Sequence, residues 1–263
     1  MSLIPTKNFS LKKFRISLEL NSLKRLTLMP HVKSESWKMF DKISSTYDKT
    51  NTILSMGIHH LWRKKLAKAL PKKEKIRLLD CATGTCDQII SLMDKDARIQ
   101  RAVGIDLACE MLKIGKNKLR LKPYTNLVEL KTASMAEIPY PENSFDCATL
   151  SFGIRNVDDV SSVLKEIHRV LSDEGRVLIL EFSLPSSFLL RKLHLFYLRS
   201  ILPKVGGWIS KNTEAYRYLN ETIESFPYGE NFCALLKEAG FKDVKATPLS
   251  GGIATLYEGN KLC

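Results

Sequence analysis

Two acidic residues, Asp80 and Asp106, each end an apolar stretch in an order that can build a nucleoside site. The first stretch leads from Leu78 to Asp80 and into a loop of small residues that contains Gly84 and Thr85. A helical pattern follows, and then a second apolar stretch that ends at Asp106. Strand, tight loop, helix, strand and acid form a nucleoside site at the carboxyl edge of a parallel sheet. The second acid can accept hydrogen bonds from both hydroxyls of a ribose.

The loop between the first strand and its helix indicates which nucleoside would bind. The dinucleotide fingerprint needs three glycines, and the stretch 81–87 contains only Gly84. A loop with one glycine and an acid at the end of the first strand fits a ligand without a pyrophosphate better than it fits a dinucleotide. S-adenosylmethionine (SAM) is such a ligand. On these residues alone, an ordinary strand–helix turn of another α/β protein remains the alternative.

Composition predicts a globular protein with a reduced interior. The chain has 263 residues, of which 44% are hydrophobic, enough for a substantial core. The six cysteines form no CxxC pair and have no histidine at ligand spacing, which predicts reduced, mostly buried thiols, no structural zinc and a reducing compartment. They are Cys81, Cys86, Cys109, Cys147, Cys233 and Cys263.

The net charge of +13 lies entirely at the amino-terminal end. Residues 1–77 carry 18 Lys and Arg against 5 Asp and Glu, whereas residues 78–263 carry 23 of each. The positive electrostatic field of such a segment favours binding to nucleic acid, to an anionic membrane face or to an import receptor. We predict a basic extension over residues 1–34 and one domain over 35–263. The extension could be a transit peptide, a membrane-touching arm or a solvated tail. No apolar run reaches 18 residues, so no membrane span is predicted.

Strand and helix patterns alternate through the middle of the chain, which predicts a doubly wound parallel sheet. The last two predicted strands are joined through Ser250–Gly252, a link short enough for an antiparallel hairpin. Residues 39–66 read as two short helices outside the sheet, either covering a pocket or packing the arm onto the body. Residues 188–202 predict a helix with more apolar surface than one packed face needs. That surface could line a substrate pocket, touch a bilayer or pack on both sides.

Four ordered blocks resemble the ubiquinone/menaquinone biosynthesis C-methyltransferase family (UbiE-type), over about residues 35–260. Departures from the family pattern include Thr50 for a methionine, Thr83 and Cys86 at glycine positions, and residues 172–174 in place of Lys-Pro-Gly. The side chain at Cys86 is expected to tighten the loop sterically, because a glycine tolerates positive φ. The four blocks are residues 47–62, the loop 82–87, Ser151–Asn156 and the stretch from Arg169 to Ser183.

The resemblance implies a class I SAM-dependent methyltransferase fold with an N-terminal helical cover and a seven-stranded sheet whose last strand is antiparallel. It implies SAM as cofactor, and it adds contacts that the residues alone do not predict. Asp106 as ribose acceptor and Thr85 in the loop are physically plausible without it. Asp80 and Gly84 are also predicted to bind the cofactor. The cofactor contacts that the family implies are Thr85, Asp106, Ser134, Met135 and Ser151.

The family transfers the sulfonium methyl to a ring carbon of a lipophilic, prenylated quinol. Ring carbon is a weak nucleophile until the neighbouring hydroxyl, with a pKa near ~10, loses its proton. Arg155 is the predicted oxyanion stabiliser and Asn156 the residue that orients the ring, while Tyr47 or His59 could assist with the proton. The alternative for Arg155 is structural, a tie to Asp158 or Asp159. No metal is required.

The sequence constrains the substrate and the cellular location less than it constrains the fold and the reaction. The favoured substrate is demethylmenaquinol and the alternative is the benzoquinol of the ubiquinone pathway. We expect a cytoplasmic protein with peripheral contact to the inner membrane, or a mitochondrial matrix protein if residues 1–30 are a transit peptide. A homodimer is left open.

A non-catalytic SAM-fold subunit is disfavoured by the intact blocks. A nucleic-acid partner is disfavoured because Ser151–Ile154 replaces the Asn/Asp-Pro-Pro-aromatic motif of base-amine methyltransferases.

Overall fold

A computed structural model describes residue 33 and residues 35–262 of the chain. The basic extension predicted over residues 1–34 therefore lies almost wholly outside the described residues, as does Cys263. Within the described part, no helix is long and apolar enough to cross a bilayer. The five cysteines at positions 81 to 233 are all free thiols, and Cys109 is the exposed one among them. This confirms the prediction of reduced, mostly buried cysteines for the described residues.

Within residues 35–262, seven strands form one sheet in the order β3-β2-β1-β4-β5-β7-β6. The first five strands along the chain pair in parallel, while β7 runs antiparallel to both β5 and β6. This confirms the doubly wound sheet and the antiparallel hairpin at its end. The strands are β1 Ile76–Cys81, β2 Ile99–Asp106, β3 Val128–Thr132, β4 Phe145–Ser151, β5 Leu171–Phe182, β6 Lys242–Leu249 and β7 Ala254–Asn260.

Nine α-helices surround the sheet within the described residues. The first of them has 19 residues, longer than the short helix predicted there, because its polar and apolar residues continue back to Ser36. They are α1 Ser36–Leu54, α2 Ile58–Ala67, α3 Asp87–Met93, α4 Cys109–Leu119, α5 Val160–Val170, α6 Phe188–Phe196, α7 Leu202–Ser210, α8 Thr213–Ser225 and α9 Glu230–Glu238.

The core lies on both faces of the central strands. All residues of β4 except the last are buried, as expected for a parallel strand covered on both faces. One face packs against α5 and α9, through residues such as Leu164 and Phe232. The other packs against α2 and α3, through Trp62 and Ile89.

A third apolar cluster joins α1 to the helices between β5 and β6. Ile43 of α1 packs in this cluster with Leu198, Leu202 and Tyr216. Because these helices are not part of the two layers that flank the sheet, they form a cover. The cover contributes residues to both cavities described below, together with residues from the strand ends. The sequence prediction of an N-terminal helical cover is therefore correct.

Part of the additional apolar surface predicted over residues 188–202 is exposed to solvent. Leu189, Leu193 and Phe196 are exposed, while Leu198 is buried and the Tyr197 hydroxyl donates to the Leu54 carbonyl at 2.7 Å. The opposite side of the helix packs inward, because His194, Leu198 and Leu202 are buried at four-residue spacing. A π-helical turn at Tyr197–Ile201 connects α6 to α7.

Candidate active site

Strained backbone marks the carboxyl edge of the sheet. Ala82 after β1 and Phe152 after β4 have φ values of 51° and 60°, in the left-handed region that non-glycine residues rarely occupy. At the neighbouring Gly153, a Cβ atom would lie 2.6 Å from Cβ of Ala82. The two loops therefore press against each other, and only glycine fits at that contact. Such strain is concentrated at functional sites, where the surrounding structure maintains it.

Asp106, at the end of β2, is held in place by two backbone groups. Its Oδ2 accepts from the Gly84 N–H and its Oδ1 from the Ala108 N–H, both at 2.8 Å. Burial raises the pKa of this carboxyl, and the two N–H groups oppose that shift. Each oxygen still has a free lone pair, so the carboxylate can accept two further hydrogen bonds, as a ribose diol requires.

A cavity of about 400 Å³ opens beside Asp106, and we call it the cofactor cavity. Its volume lies in the usual range for small-molecule sites. Leu107, Met111 and Met135 are among its apolar lining residues, against which a purine ring could pack. The predicted cofactor residues that line it are Gly84, Asp106, Ser134, Met135 and Ser151.

Two predicted cofactor residues, Asp80 and Thr85, are not among the lining residues of this cavity. Asp80 is buried at the end of β1, where its Oδ1 accepts from the Thr149 hydroxyl at 2.6 Å. The Thr85 hydroxyl donates to Asp48 of the cover, also at 2.6 Å. Asp80 therefore lies behind the cavity wall, and Thr85 is occupied by a contact that the sequence did not indicate.

A second cavity of about 120 Å³, which we call the aromatic cavity, adjoins the first. The two cavities share three lining residues, Phe40, Tyr47 and Phe152. The Phe152 ring also lies 4.6 Å from that of Phe182, measured between centroids. A flat aromatic guest in this cavity would contact aromatic rings and lie next to the cofactor cavity. The other aromatic residues that line this cavity are Trp62, Phe182, Tyr197, Tyr216 and Tyr218.

Arg155 lines the aromatic cavity and forms a buried ion pair. Its Nη1 lies 2.8 Å from Oε1 of Glu181 in β5, and both side chains are almost completely excluded from solvent. The alternative of a tie to Asp158 or Asp159 is wrong, because the guanidinium pairs with Glu181, while Asp159 caps α5 by accepting from the Ser162 N–H. Nε of Arg155 is buried and has no hydrogen-bond partner among the described residues.

The other predicted catalytic residues divide between the two cavities. Tyr47 borders both, and burial raises the pKa of its phenol, while Arg155 opposes the rise. His59 borders the aromatic cavity, and burial together with His60 and Arg63 lowers its pKa to about 4. Asn156 lines the cofactor cavity, not the aromatic one, and its Oδ1 is buried without a partner in the described structure.

The sequence analysis missed a polar network between the cover and the cofactor loop. Lys118 of α4 reaches Asp48 at 2.5 Å and Asp87 at 2.7 Å, and Asp48 in turn accepts from Thr85. It also missed Glu181. A carboxylate inside the apolar run of β5 was the available signal, because acids are seldom buried without a partner.

The Cys86 side chain fits against α4 because position 115 of that helix is a glycine and leaves space for it. It has φ 65° at a position where the family has glycine, and a Cβ built at Gly115 would lie 2.3 Å from the Cys86 Sγ. Gly115→Ala is therefore expected to lower the free energy of unfolding by about 1–3 kcal/mol through overpacking. Chemical denaturation should show that Cys86→Gly restores most of this loss in the double variant. Equal losses with and without Cys86 would contradict the pairing.

Comparison with known proteins identifies the family. The model of the ubiE/COQ5 methyltransferase family matches residues 29–261. The chain belongs to this family. It is 41% identical to the ubiquinone/menaquinone biosynthesis C-methyltransferase UbiE of Geotalea uraniireducens, over 85% of this chain and 95% of that protein. It is 36% identical to the demethylmenaquinone methyltransferase of Geobacillus kaustophilus, again over 85% of this chain and 95% of the relative.

Solved structures support the fold. A SAM-dependent methyltransferase from Thermotoga maritima superposes with a TM-score of 0.60 at 20% identity, covering 86% of this chain and 99% of that one. This member of the ubiE/COQ5 family thus has the class I methyltransferase fold and is a SAM-dependent methyltransferase. The cofactor cavity fits SAM, because a fixed carboxylate, apolar side chains and a residue with an unpartnered buried oxygen, Asn156, line it.

Proposed function

We propose that this enzyme methylates a ring carbon of a polyprenylated quinol, and that the quinol is demethylmenaquinol. The observation that carries the proposal is the aromatic cavity, which meets the cofactor cavity at Tyr47 and Phe152. A hydroquinone ring held between aromatic side chains would present one edge to the cofactor cavity. The names of the curated relatives, which are quinone-biosynthesis methyltransferases, support the same substrate class.

The enzyme's main task in this reaction is electrostatic. Bound SAM supplies an electrophilic methyl on a sulfonium. The ring carbon becomes a competent nucleophile when an adjacent hydroxyl is deprotonated, so the site must stabilise a phenolate. Arg155 and Arg63 are the two arginines that border the aromatic cavity among the described residues. We assign this role to Arg155, whose guanidinium is almost completely buried and lies 5.3 Å from the Phe182 ring centre. Glu181 holds that guanidinium in place.

Tyr47 and His59 have different roles in this proposal. With its pKa raised, Tyr47 is a neutral phenol at pH 7 and can donate a hydrogen bond to a quinol oxygen. His59, with a pKa of about 4, is neutral at pH 7 and a weak base. Its Nδ1 already lies 2.6 Å from the Ser55 hydroxyl. Deprotonation therefore depends on stabilising the phenolate more than on a strong base.

The exposed apolar face of the cover suits a membrane-borne substrate. We define this face as Phe188, Leu189, Leu193, Phe196 and Trp208, which are 58–84% exposed. Arg191, Lys192 and Lys204 lie among them and are also exposed. An apolar face flanked by basic residues binds the interface of an anionic bilayer. We propose that the protein sits peripherally on the membrane through this face and takes up its prenylated substrate there.

Vesicle flotation tests the membrane contact. The double variant Leu193→Ser/Phe196→Ser removes two large exposed side chains, and we expect at least about a tenfold loss of binding to anionic vesicles. Leu121→Ser is the control, because Leu121 is even more exposed, at 87%, but lies two residues after α4, outside the cover. Equal flotation of the two variants would contradict the proposal.

Quinone analysis identifies the substrate. In a strain that lacks the gene, we expect a demethylated naphthoquinone to accumulate and to disappear when the gene is returned. Accumulation of a demethylated benzoquinone would support the ubiquinone pathway instead. Normal quinones in that strain would contradict both assignments.

A further inference from the structure

His194 of α6 is a buried histidine whose Nε2 atom has no hydrogen-bond partner in the described part of the chain. The residue is only 8% exposed. Its side chain lines the aromatic cavity, and its ring stacks on that of Tyr197 with 6.5 Å between the centroids. A buried polar atom without a partner is costly and therefore rare. His194 is thus placed to bind a polar group of the molecule that occupies this cavity.

Four other residues that line the aromatic cavity carry a buried polar atom without a well-aligned partner, but each has a further contact that His194 lacks in the described structure. The two arginines donate through their other guanidinium nitrogens, to Gln88 and Glu181. The two phenols lie beside the Ser36 and Ser210 hydroxyls, which oppose the rise in pKa that burial causes. The four residues are Arg63, Arg155, Tyr216 and Tyr218.

His194 and Arg155 reach the aromatic cavity from different parts of the fold. Arg155 follows β4 and pairs with Glu181 of β5, whereas His194 belongs to the cover. A quinol carries two hydroxyl oxygens on opposite sides of its ring, so one ring can present an oxygen to each of these residues. Burial lowers the pKa of His194, so the imidazole is neutral at pH 7 and can donate or accept a hydrogen bond. A hydroxyl group is a suitable partner, because it can also do both.

The chemistry of the substrate decides which oxygen would face His194. In demethylmenaquinol, the ring carbon that takes the methyl lies next to the carbon that bears the prenyl chain, and each of the two has its own neighbouring hydroxyl. The hydroxyl beside the methylated carbon must become the phenolate, which is the group assigned to Arg155. The other hydroxyl lies beside the prenyl chain. At His194 that chain would start next to α6, the helix that carries Leu193 and Phe196 of the exposed apolar face.

We propose that His194 binds the second hydroxyl of the quinol, the one next to the prenyl chain, and so selects rings with two opposite oxygens. This inference rests on the proposed function of the aromatic cavity. The hydroxyl keeps its proton throughout the reaction, so His194 binds the substrate and takes no part in proton transfer. By holding this oxygen at the cover, His194 directs the unsubstituted ring carbon toward the cofactor cavity.

A pair of matched ligands tests the inference by calorimetry on the complex with S-adenosylhomocysteine. One ligand is a short-chain demethylmenaquinol, and the other is the monohydroxy naphthol with the same chain, which lacks only the hydroxyl next to that chain. We expect the unmodified enzyme to bind the quinol about 10- to 100-fold more tightly, the usual effect of pairing one buried polar group. His194→Phe keeps an aromatic ring but removes both nitrogens. It should lose this factor for the quinol and bind the naphthol within about threefold of the unmodified enzyme.

Two further variants separate recognition from packing. In His194→Gln the amide supplies a donor and an acceptor, so this variant should recover most of the affinity for the quinol. His168→Phe is the control, because His168 is a half-buried histidine of α5 that lines neither cavity. It should bind both ligands normally.

The outcomes distinguish this inference from the proposed function. Equal affinity of the unmodified enzyme for the quinol and the naphthol would overturn the inference, and this comparison needs no variant. Equal weakening of both ligands in His194→Phe would also overturn it, because a role in cavity shape alone affects both. If the unmodified enzyme bound neither ligand, the proposed function would be contradicted, and this inference with it.

Discussion

Replacing Arg155 with alanine is expected to lower methyl transfer to the quinol at least about 100-fold, the usual loss when one oxyanion-stabilising donor is removed. Affinity for SAM should stay within about threefold of the unmodified enzyme, because Arg155 lines the aromatic cavity and not the cofactor cavity. Single-turnover rates and calorimetry with S-adenosylhomocysteine measure the two effects separately. Normal turnover would remove Arg155 from the mechanism.

The buried partner of Arg155 complicates this variant and supplies its control. Glu181 is fully buried, so Arg155→Ala leaves a carboxylate unpaired, which typically costs about 3–5 kcal/mol of stability. In Arg155→Gln/Glu181→Gln both charges are gone. We expect the double variant to recover most of the stability in chemical denaturation, but not the turnover. Recovery of both stability and turnover would show that Arg155 acts only by stabilising the fold.

Asp106→Ala should produce the largest loss of cofactor binding, about 100-fold or more, measured by calorimetry with S-adenosylhomocysteine. The loss combines two charge-assisted hydrogen bonds to the ribose with the release of the Gly84 and Ala108 N–H groups, which position the loop. Each such bond contributes roughly 1.5–3 kcal/mol. No other acid among the described residues lines the cavity in an equivalent position at the end of β2.

The control for Asp106→Ala is Asp94→Ala. Asp94 follows α3 and pairs with Lys122 on the surface, outside the cofactor cavity. Its loss should leave the affinity for S-adenosylhomocysteine unchanged. If Asp106→Ala bound the ligand as tightly as Asp94→Ala, the ribose would have to lie elsewhere and the assignment of the cofactor cavity would be wrong.

The sheet could be predicted because its signals are local. Apolar strands alternate with amphipathic helices, and Ser250–Gly252 is too short a link for anything but a hairpin. The cover was harder to predict, because large apolar residues occur on both sides of the helix over residues 188–202, so periodicity alone does not show which side is buried. The structure buries Leu198 and exposes Leu189, Leu193 and Phe196.

Site residues at the ends of strands could be predicted from the sequence. Contacts between side chains far apart in the sequence were harder to predict. Asp106 and Ser151 end predicted strands, and both line the cavity as expected. The pairing of Arg155 with Glu181 depends on the register of β4 against β5, which the sequence does not give. The same holds for Thr85, whose hydroxyl contacts Asp48 37 positions away. Contacts of this kind depend on the register of a finished fold.

In the proposed reaction, the methyl of SAM passes to a ring carbon of a quinol held in the aromatic cavity. Incubation of the purified enzyme with SAM that carries a ¹³C-methyl group and with a short-chain demethylmenaquinol, followed by NMR of the extracted quinone, tests it directly. We predict a labelled methyl bonded to ring carbon, and its loss in Arg155→Gln/Glu181→Gln. A methyl bonded to oxygen, or no labelled quinone at all, would contradict the account.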